Sequence, residues 1–312
     1  SGKGDKHAQH LIDIALICVQ DAIEKLGYVR DVAAANLARQ RSYDFVCVLP
    51  DSKSEFLREV REAIDEAAVG MTFERTRIDV REFPLDDTNK LIDLLAEVEA
   101  EQPDGLAIMA PETPSVRDAV KRIMASGTHV TPIVSDLPST GRSHFVGINN
   151  VGAGRTAAQL MGRFLGSKAA TILVVAGSMV STDHAERRAG FDEIMQIHFP
   201  QHDVLPTLEA FDKAHNVKER VGEALRHHPE IVGIYSIGAG NQGLVSILHE
   251  TGRARDIIVI AHEVTDCSRS ALKGGTFDAV IAQNVGHIVR LSLIHISEPT
   301  RRATISRMPS SA

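Results

Sequence analysis

Cysteine is scarce in this chain. Cys18, Cys47 and Cys267 are the whole complement of 312 residues, odd in number and never in CxxC spacing. That excludes a disulfide framework and a zinc site of ordinary ligand spacing, and it fits reduced thiols in a cytoplasmic protein. No apolar run is long enough to span a bilayer, and the opening SGKGDKHAQHLIDIALICVQD has no apolar stretch ending in a small-residue cleavage site. Neither secretion nor membrane spanning is expected. Positive charge is also short: 34 Lys and Arg stand against 41 Asp and Glu, a net charge of −7. Such a surface does not coat nucleic acid, so any DNA contact must be local. Catalytic signatures are missing as well. There is no GxSxG elbow, no HExxH and no GK[ST], and Cys267 sits in no nucleophile motif, so neither an enzyme nor a resident cofactor or metal is expected.

What is present is a regular alternation. From Tyr43 onward short β-branched runs alternate with amphipathic helices, the pattern of parallel sheets covered on both faces. In the first stretch FVCVLP, RIDVREFP, GLAIMAP and TPIVSD read as strands. Between them lie helices over about 54–68, LIDLLAEVEAE and SVRDAVKRIMASG. After the short connection LPSTGRSHFVGINN a second unit repeats the scheme, with strands ATILVVAG, DVLPTLEAF, IVGIYSIG, DIIVIAHE and FDAVIAQN and helices GAGRTAAQLMGRFLG, HAERRAGFDEIMQIHF, NVKERVGEALRHH and NQGLVSILHETG. Length alone suggests two units of ~150 residues.

In open α/β sheets ligands bind beyond the carboxyl ends of strands. The residues in those places are Asp51, Ser54 and Phe56, then Glu112, then Asp136, and in the second unit Arg187, Asn241, Glu263 and Gln283, with Ser52, Thr113, Ser178 and Asp183 beside them. Carboxylates, amides and an arginine converging on a cleft suit a polyhydroxylated ligand, because each sugar hydroxyl both donates and accepts. Phe56 offers a surface for an apolar sugar face. Two other readings stay open: GAGNQG at 238–243 as a phosphate-cradling turn of a nucleotide-dependent enzyme, and His262–Glu263 or His227–His228 as metal ligands, with satisfied surface histidines as the simpler account.

Ahead of the first strand lies AIEKLGYVRDVAAANLARQRS, residues 22–42: a helix ending in LGY, then an Ala-rich segment with one leucine, Leu37, and basic residues only at its end. This resembles the hinge of LacI/GalR-family transcription regulators. The resemblance implies a remnant of a helix-turn-helix headpiece and hinge helix over 1–42, an N-lobe over 43–145 and a C-lobe over 146–290. It implies a two-lobe, periplasmic-binding-protein-like (type I) α/β fold, each lobe a parallel sheet with helices on both faces. It further implies a homodimer whose hinge residues Ala34, Leu37, Arg39 and Arg41 meet operator DNA, Leu37 as a wedge in the minor groove, with a small carbohydrate effector coupled to DNA affinity. RxxG at Arg187–Gly190 resembles the family's ligand-contacting arginine, and Asn241, Glu263 and Gln283 fall near its binding positions, although GAGNQG replaces NDxxA and Glu263 replaces Asp. The alternative is the solute-binding component of a sugar ABC importer.

The last segment stands apart. LSLIHISEPTR at 291–301 and SRMPSSA at 306–312 resemble translated sequencing adapter. Residues 291–312 are therefore expected to be an artefactual tail without an apolar face matched to the lobes, and the C-lobe to stop near Arg290 before any return to the N-lobe.

Overall fold

The computed structural model describes residues 42–71, 75–85 and 87–306, with side chains as far as Ile296. Segment 1–41, which holds the hinge residues Ala34, Leu37, Arg39 and Arg41, lies outside the described residues. Two parallel sheets organise the rest. The first lobe runs β1 (Tyr43–Asp51), α1 (Glu55–Met71), β2 (Thr76–Pro84), α2 (Thr88–Glu101), β3 (Gly105–Ile108), α3 (Pro114–Ala125) and β4 (His129–Pro132). Its sheet has the order β2-β1-β3-β4. The second lobe runs α4 (Asn150–Leu165), β5 (Thr171–Ala176), α5 (Thr182–His198), β6 (Asp203–Val204), β7 (Leu208–Glu209), α6 (Ala214–His227), β8 (Ile231–Ser236), α7 (Asn241–Glu250), β9 (Ile258–His262), α8 (Asp266–Gly274) and β10 (Ala279–Ile281). Its order is β10-β9-β8-β5-β6, with β7 also beside β5. Helix α9 (Val285–Ser306) closes the described chain.

Burial of both sheet faces explains the continuous apolar strands. On β1, Tyr43, Phe45, Cys47 and Leu49 pack with Phe56, Leu57, Val60 and Ile64 of α1, while Val46 and Val48 face Leu91, Leu95 and Val98 of α2 and Val116, Val120 and Ile123 of α3. In the second lobe Leu173 and Val175 face α6 and α7, and Ile172, Val174 and Ala176 face α4 and α5. Caps set the helix starts: Asp87 accepts from the N–H groups of Asn89 and Lys90, Thr113 from Val116 with Pro114 following, and Asn149 from Gly152. These satisfy donors that the first turn leaves without partners.

Three readings need correction. DVLPTLEAF is two short strands rather than one, because Pro206 between them has no N–H for a ladder. Helix α8 was missed: its apolar face is thin, with Leu272 43% exposed, and its start is marked only by the reciprocal capping box of Thr265 and Ser268. The largest correction concerns the C-terminus. The helix capped by Asn284 continues through residue 290 without a break and returns to the first lobe, where it packs on α1, β3 and β4. Ile288, Val289, Leu293 and Ile296 are buried in the β1–α1 core. A Cβ placed on Gly105 would lie 2.8 Å from that of Ile296, and His295 stacks on His144 with ring centroids 4.3 Å apart. Counted from Val285, the apolar residues Ile288, Val289, Leu293 and Ile296 fall at i+3, i+4, i+8 and i+11, one helical face that continues through 291–296, contrary to the expectation of a tail without one.

Candidate functional site

The chain crosses between lobes at 133–149, where Ile133 bridges Val146, and again between β10 and α9. Beside these crossings a cleft opens between the lobes, lined on the first by Ser54, Phe56, Met109 and Val134 and on the second by Asp183, Arg187, Asp212, Glu263 and Gln283, among others. It holds about 680 Å³ of empty space, part of it continuous with solvent.

Arg187 is the centre of the second-lobe wall. It is 2% exposed and heavily engaged: Nε donates to Asn150 Oδ1 at 2.9 Å, Nη1 to the Ile237 carbonyl at 2.9 Å, and Nη2 lies 3.6 Å from Glu263 Oε1. The RxxG spacing has a packing cause. A Cβ on Gly190 would lie 2.1 Å from the Val151 carbonyl oxygen, and one on Gly154 would lie 2.0 Å from that of Arg187. The two glycines let α5 and α4 approach backbone to backbone, which brings Arg187 to Asn150 at the start of α4.

Glu263 receives the Gln283 amide on Oε1 at 2.8 Å. Burial pushes its carboxyl up to about 7, with the Arg187 charge and the Gln283 hydrogen bond pulling the other way. The neighbouring His262 is buried rather than a surface histidine, its Nε2 2.8 Å from the Tyr235 hydroxyl. Burial, then the charges of Arg187 and His184, hold its imidazole well below the usual range. Backbone strain gathers at the same place: the cleft residues Val134, Asp212 and Glu263 have φ of 64°, 56° and 66°. Left-handed backbone is rare for any residue with a Cβ and rarest for β-branched Val, and such outliers cluster at functional sites.

Among the described residues, two buried acceptors of this wall have no partner, Asp183 Oδ1 and Gln283 Oε1. Asp183 is 4% exposed, and both residues line the cleft. Leaving such an atom unsatisfied costs about 1–3 kcal/mol, which a ligand donor would relieve.

Of the residues expected at the site, Ser54, Phe56, Arg187, Glu263 and Gln283 come together here. The other four do not line the cleft. Asp51 ends β1 on the surface. Glu112 accepts the Ser139 N–H, and Asp136 is held by both arms of Arg142 and by the Leu137 N–H. Asn241 accepts from Ser236 and donates to the His262 carbonyl, so it is a buried strut between β8, α7 and β9. Position after a strand was the signal for all nine; the direction each side chain takes was not in it. Asp212, Ser135, Ser181 and His184 line the cleft and were missed. Position after a strand applies to them too, since Ser135 follows β4, Ser181 and His184 follow β5 and Asp212 follows β7; Asp212 further depends on two successive left-handed residues, Phe211 and Asp212.

GAGNQG is not a phosphate cradle in this geometry. The Ala239 N–H donates to Asp212 Oδ1 at 2.7 Å, and a Cβ on Gly238 would lie 2.5 Å from that same oxygen. The protein's own carboxylate occupies the anion's place. Gly243 serves packing, since a Cβ there would lie 1.8 Å from the Ala214 carbonyl oxygen. Among the described residues no group of three His, Cys, Asp or Glu side chains could hold a metal.

No curated protein sequence matches this chain significantly. Solved structures share its fold. An ABC transporter solute-binding protein from Burkholderia graminis, in complex with D-arabinose, superposes with a TM-score of 0.77 at 23% identity, covering 84% of this chain and 90% of that one. A glucose-galactose binding protein from Geobacillus stearothermophilus gives 0.76 at 18% identity, covering 84% and 92%. A protein assigned as a LacI transcriptional regulator from Bacteroides fragilis gives 0.73 at 20% identity, covering 83% and 90%. Residues 45–293, both lobes and the start of the returning helix, match the periplasmic binding protein domain, and the chain belongs to that family.

Proposed function

We propose that the chain is a carbohydrate receptor that binds a small neutral sugar between its lobes and turns closure into a signal, without chemistry on the ligand. One observation carries this reading: Asp183 and Gln283, each with a buried acceptor unpartnered among the described residues, line the same inter-lobe cleft as the buried Arg187. Sugar hydroxyls donate to such acceptors and accept from such a guanidinium at once. The sugar complexes and names among proteins of the same fold support it.

The output of the receptor has two readings. Service as the solute-binding component of a sugar importer is supported by the importer proteins among the structural neighbours. DNA regulation as a cytoplasmic homodimer is supported by the hinge-like segment 22–42 and by the Bacteroides neighbour; there the ligand would alter DNA affinity by a coupling free energy of ~1–3 kcal/mol.

Calorimetry against a panel of pentoses, hexoses, deoxyhexoses and sugar alcohols tests the receptor reading. At least one sugar should bind, and Asp183→Ala should weaken it by roughly tenfold, the worth of one buried hydrogen bond. No binding across the panel, or equal affinity in the variant, overturns it. Sugar-dependent, salt-sensitive DNA binding by the full chain would decide for regulation.

A further inference from the structure

The two walls of the cleft differ in chemistry. The second lobe supplies its charged groups: Asp183, Arg187, Asp212 and Glu263. The first lobe contributes Phe56, Leu57, Leu85, Met109 and Val134, and its hydroxyls there, among the described residues, are those of Ser52, Ser54 and Ser135. Each of those serines already accepts a backbone N–H, from Ser54, Leu57 and Asp183 respectively. Among the described residues no first-lobe amide, carboxylate or cation lines the cleft. Each serine keeps its own O–H to donate, but a ligand hydroxyl turned toward Phe56 and Met109 rather than a serine would lose its water and gain little, whereas a methyl or bare ring edge there would be favoured.

Charge narrows the class further. Three carboxylates, those of Asp183, Asp212 and Glu263, line the cleft with one guanidinium, and that guanidinium already faces Glu263. An acidic sugar would meet uncompensated like charge.

We infer that the ligand is a neutral monosaccharide hydroxylated along one edge and bare along the other, of the 6-deoxyhexose class, its hydroxyls on the Asp183–Gln283 side and its methyl on the Phe56–Met109 side. This inference rests on the carbohydrate reading above and narrows it.

Matched pairs test it by calorimetry on the full chain: D-fucose against D-galactose, L-rhamnose against L-mannose, and D-galacturonate as the acidic analogue. In at least one pair the 6-deoxy sugar should bind tighter than its 6-hydroxy parent by about tenfold to a hundredfold, the upper figure being the discrimination an apolar pocket achieves against an added hydroxyl, and galacturonate should bind weakest. Met109→Gln, close in volume and able to hydrogen-bond, should erase the preference while the melting temperature reports that the fold is kept. Equal or tighter binding of the parent hexoses, tighter binding of galacturonate, or binding of none of these four neutral sugars overturns the inference. If other sugars of the wider panel bind, the receptor reading survives that failure; if none does, both fall.

Discussion

Arg187 owes its place to neighbours that are far apart in sequence, and so does the cost of removing it. Its guanidinium compensates the Glu263 carboxyl and holds Asn150 and the Ile237 carbonyl. Arg187→Ala should therefore abolish sugar binding and also destabilise the fold, on the order of 3 kcal/mol, as breaking a buried pair does. Adding Glu263→Gln should recover part of that stability by removing the stranded charge. Urea unfolding of the single and double variants checks this; a double variant less stable than Arg187→Ala would refute the coupling. Glu263 also predicts a pH dependence. A carboxyl raised from 4.5 to about 7 on folding contributes fully below its unfolded value, and that contribution is lost as pH rises through the folded one. Stability should accordingly fall between about pH 5 and pH 8, and the slope should flatten in Glu263→Gln. An unchanged slope would rule Glu263 out as its source.

At the scale of elements, the lobes are tied across the cleft mouth by the first residue of α1. Glu55 accepts the Gln242 amide at 2.8 Å and the Cys267 N–H at the start of α8 at 3.3 Å, so a first-lobe carboxylate meets the N-termini of two second-lobe helices. Burial acts to raise its pKa, but hydrogen bonds from Thr265, Cys267 and Gln242 and the Arg58 charge together lower it. A lowered carboxyl holds the closed form above the ordinary carboxylate range and releases it as pH falls through the depressed value. Glu55→Ala should shift the population toward open lobes and weaken sugar affinity severalfold, with a larger radius of gyration in solution scattering. An unaltered radius and affinity would show that the contact ties nothing. Helix α9 is the second element with a testable load. Ile296 is fully buried against Gly105 and Phe45 in the first-lobe core, so Ile296→Ala should cost about 2–5 kcal/mol. A loss below 0.5 kcal/mol, the range of ordinary surface changes, would return residues 291–296 to the status of a tail.

For the whole molecule, each lobe has its own pair of cores, one on either face of its sheet. Sugar touching both walls links lobes that otherwise unfold with some independence. Calorimetric scanning should show two overlapping transitions without sugar and a single, higher one with it, the gain reaching about 2.7 kcal/mol at a hundred times Kd. Two transitions that persist unshifted at saturation would mean that the ligand binds one lobe alone.

Local physics made the two-lobe architecture legible in the sequence. Strand runs such as FVCVLP and ATILVVAG and helices with apolar periodicity state their own type, and their alternation admits parallel sheets with helical crossovers. The same physics placed Arg187, Glu263 and Gln283 after strand ends or early in the next helix, close to the cleft. Tertiary structure decided the rest. Glu112, Asp136 and Asn241 occupy equivalent sequence positions but turn to Ser139, Arg142 and Ser236, and Asp51 stays at the surface, directions that position after a strand does not set. Asp212 enters the cleft through a left-handed turn that no periodicity announces. The apolar spacing of Ile288, Val289, Leu293 and Ile296 was in the sequence throughout, yet a periodic face says only that a helix buries one side. Which lobe it is buried against depends on a first-lobe groove floored by Gly105, 191 residues away from Ile296, and contacts at that separation exist only once the chain has folded.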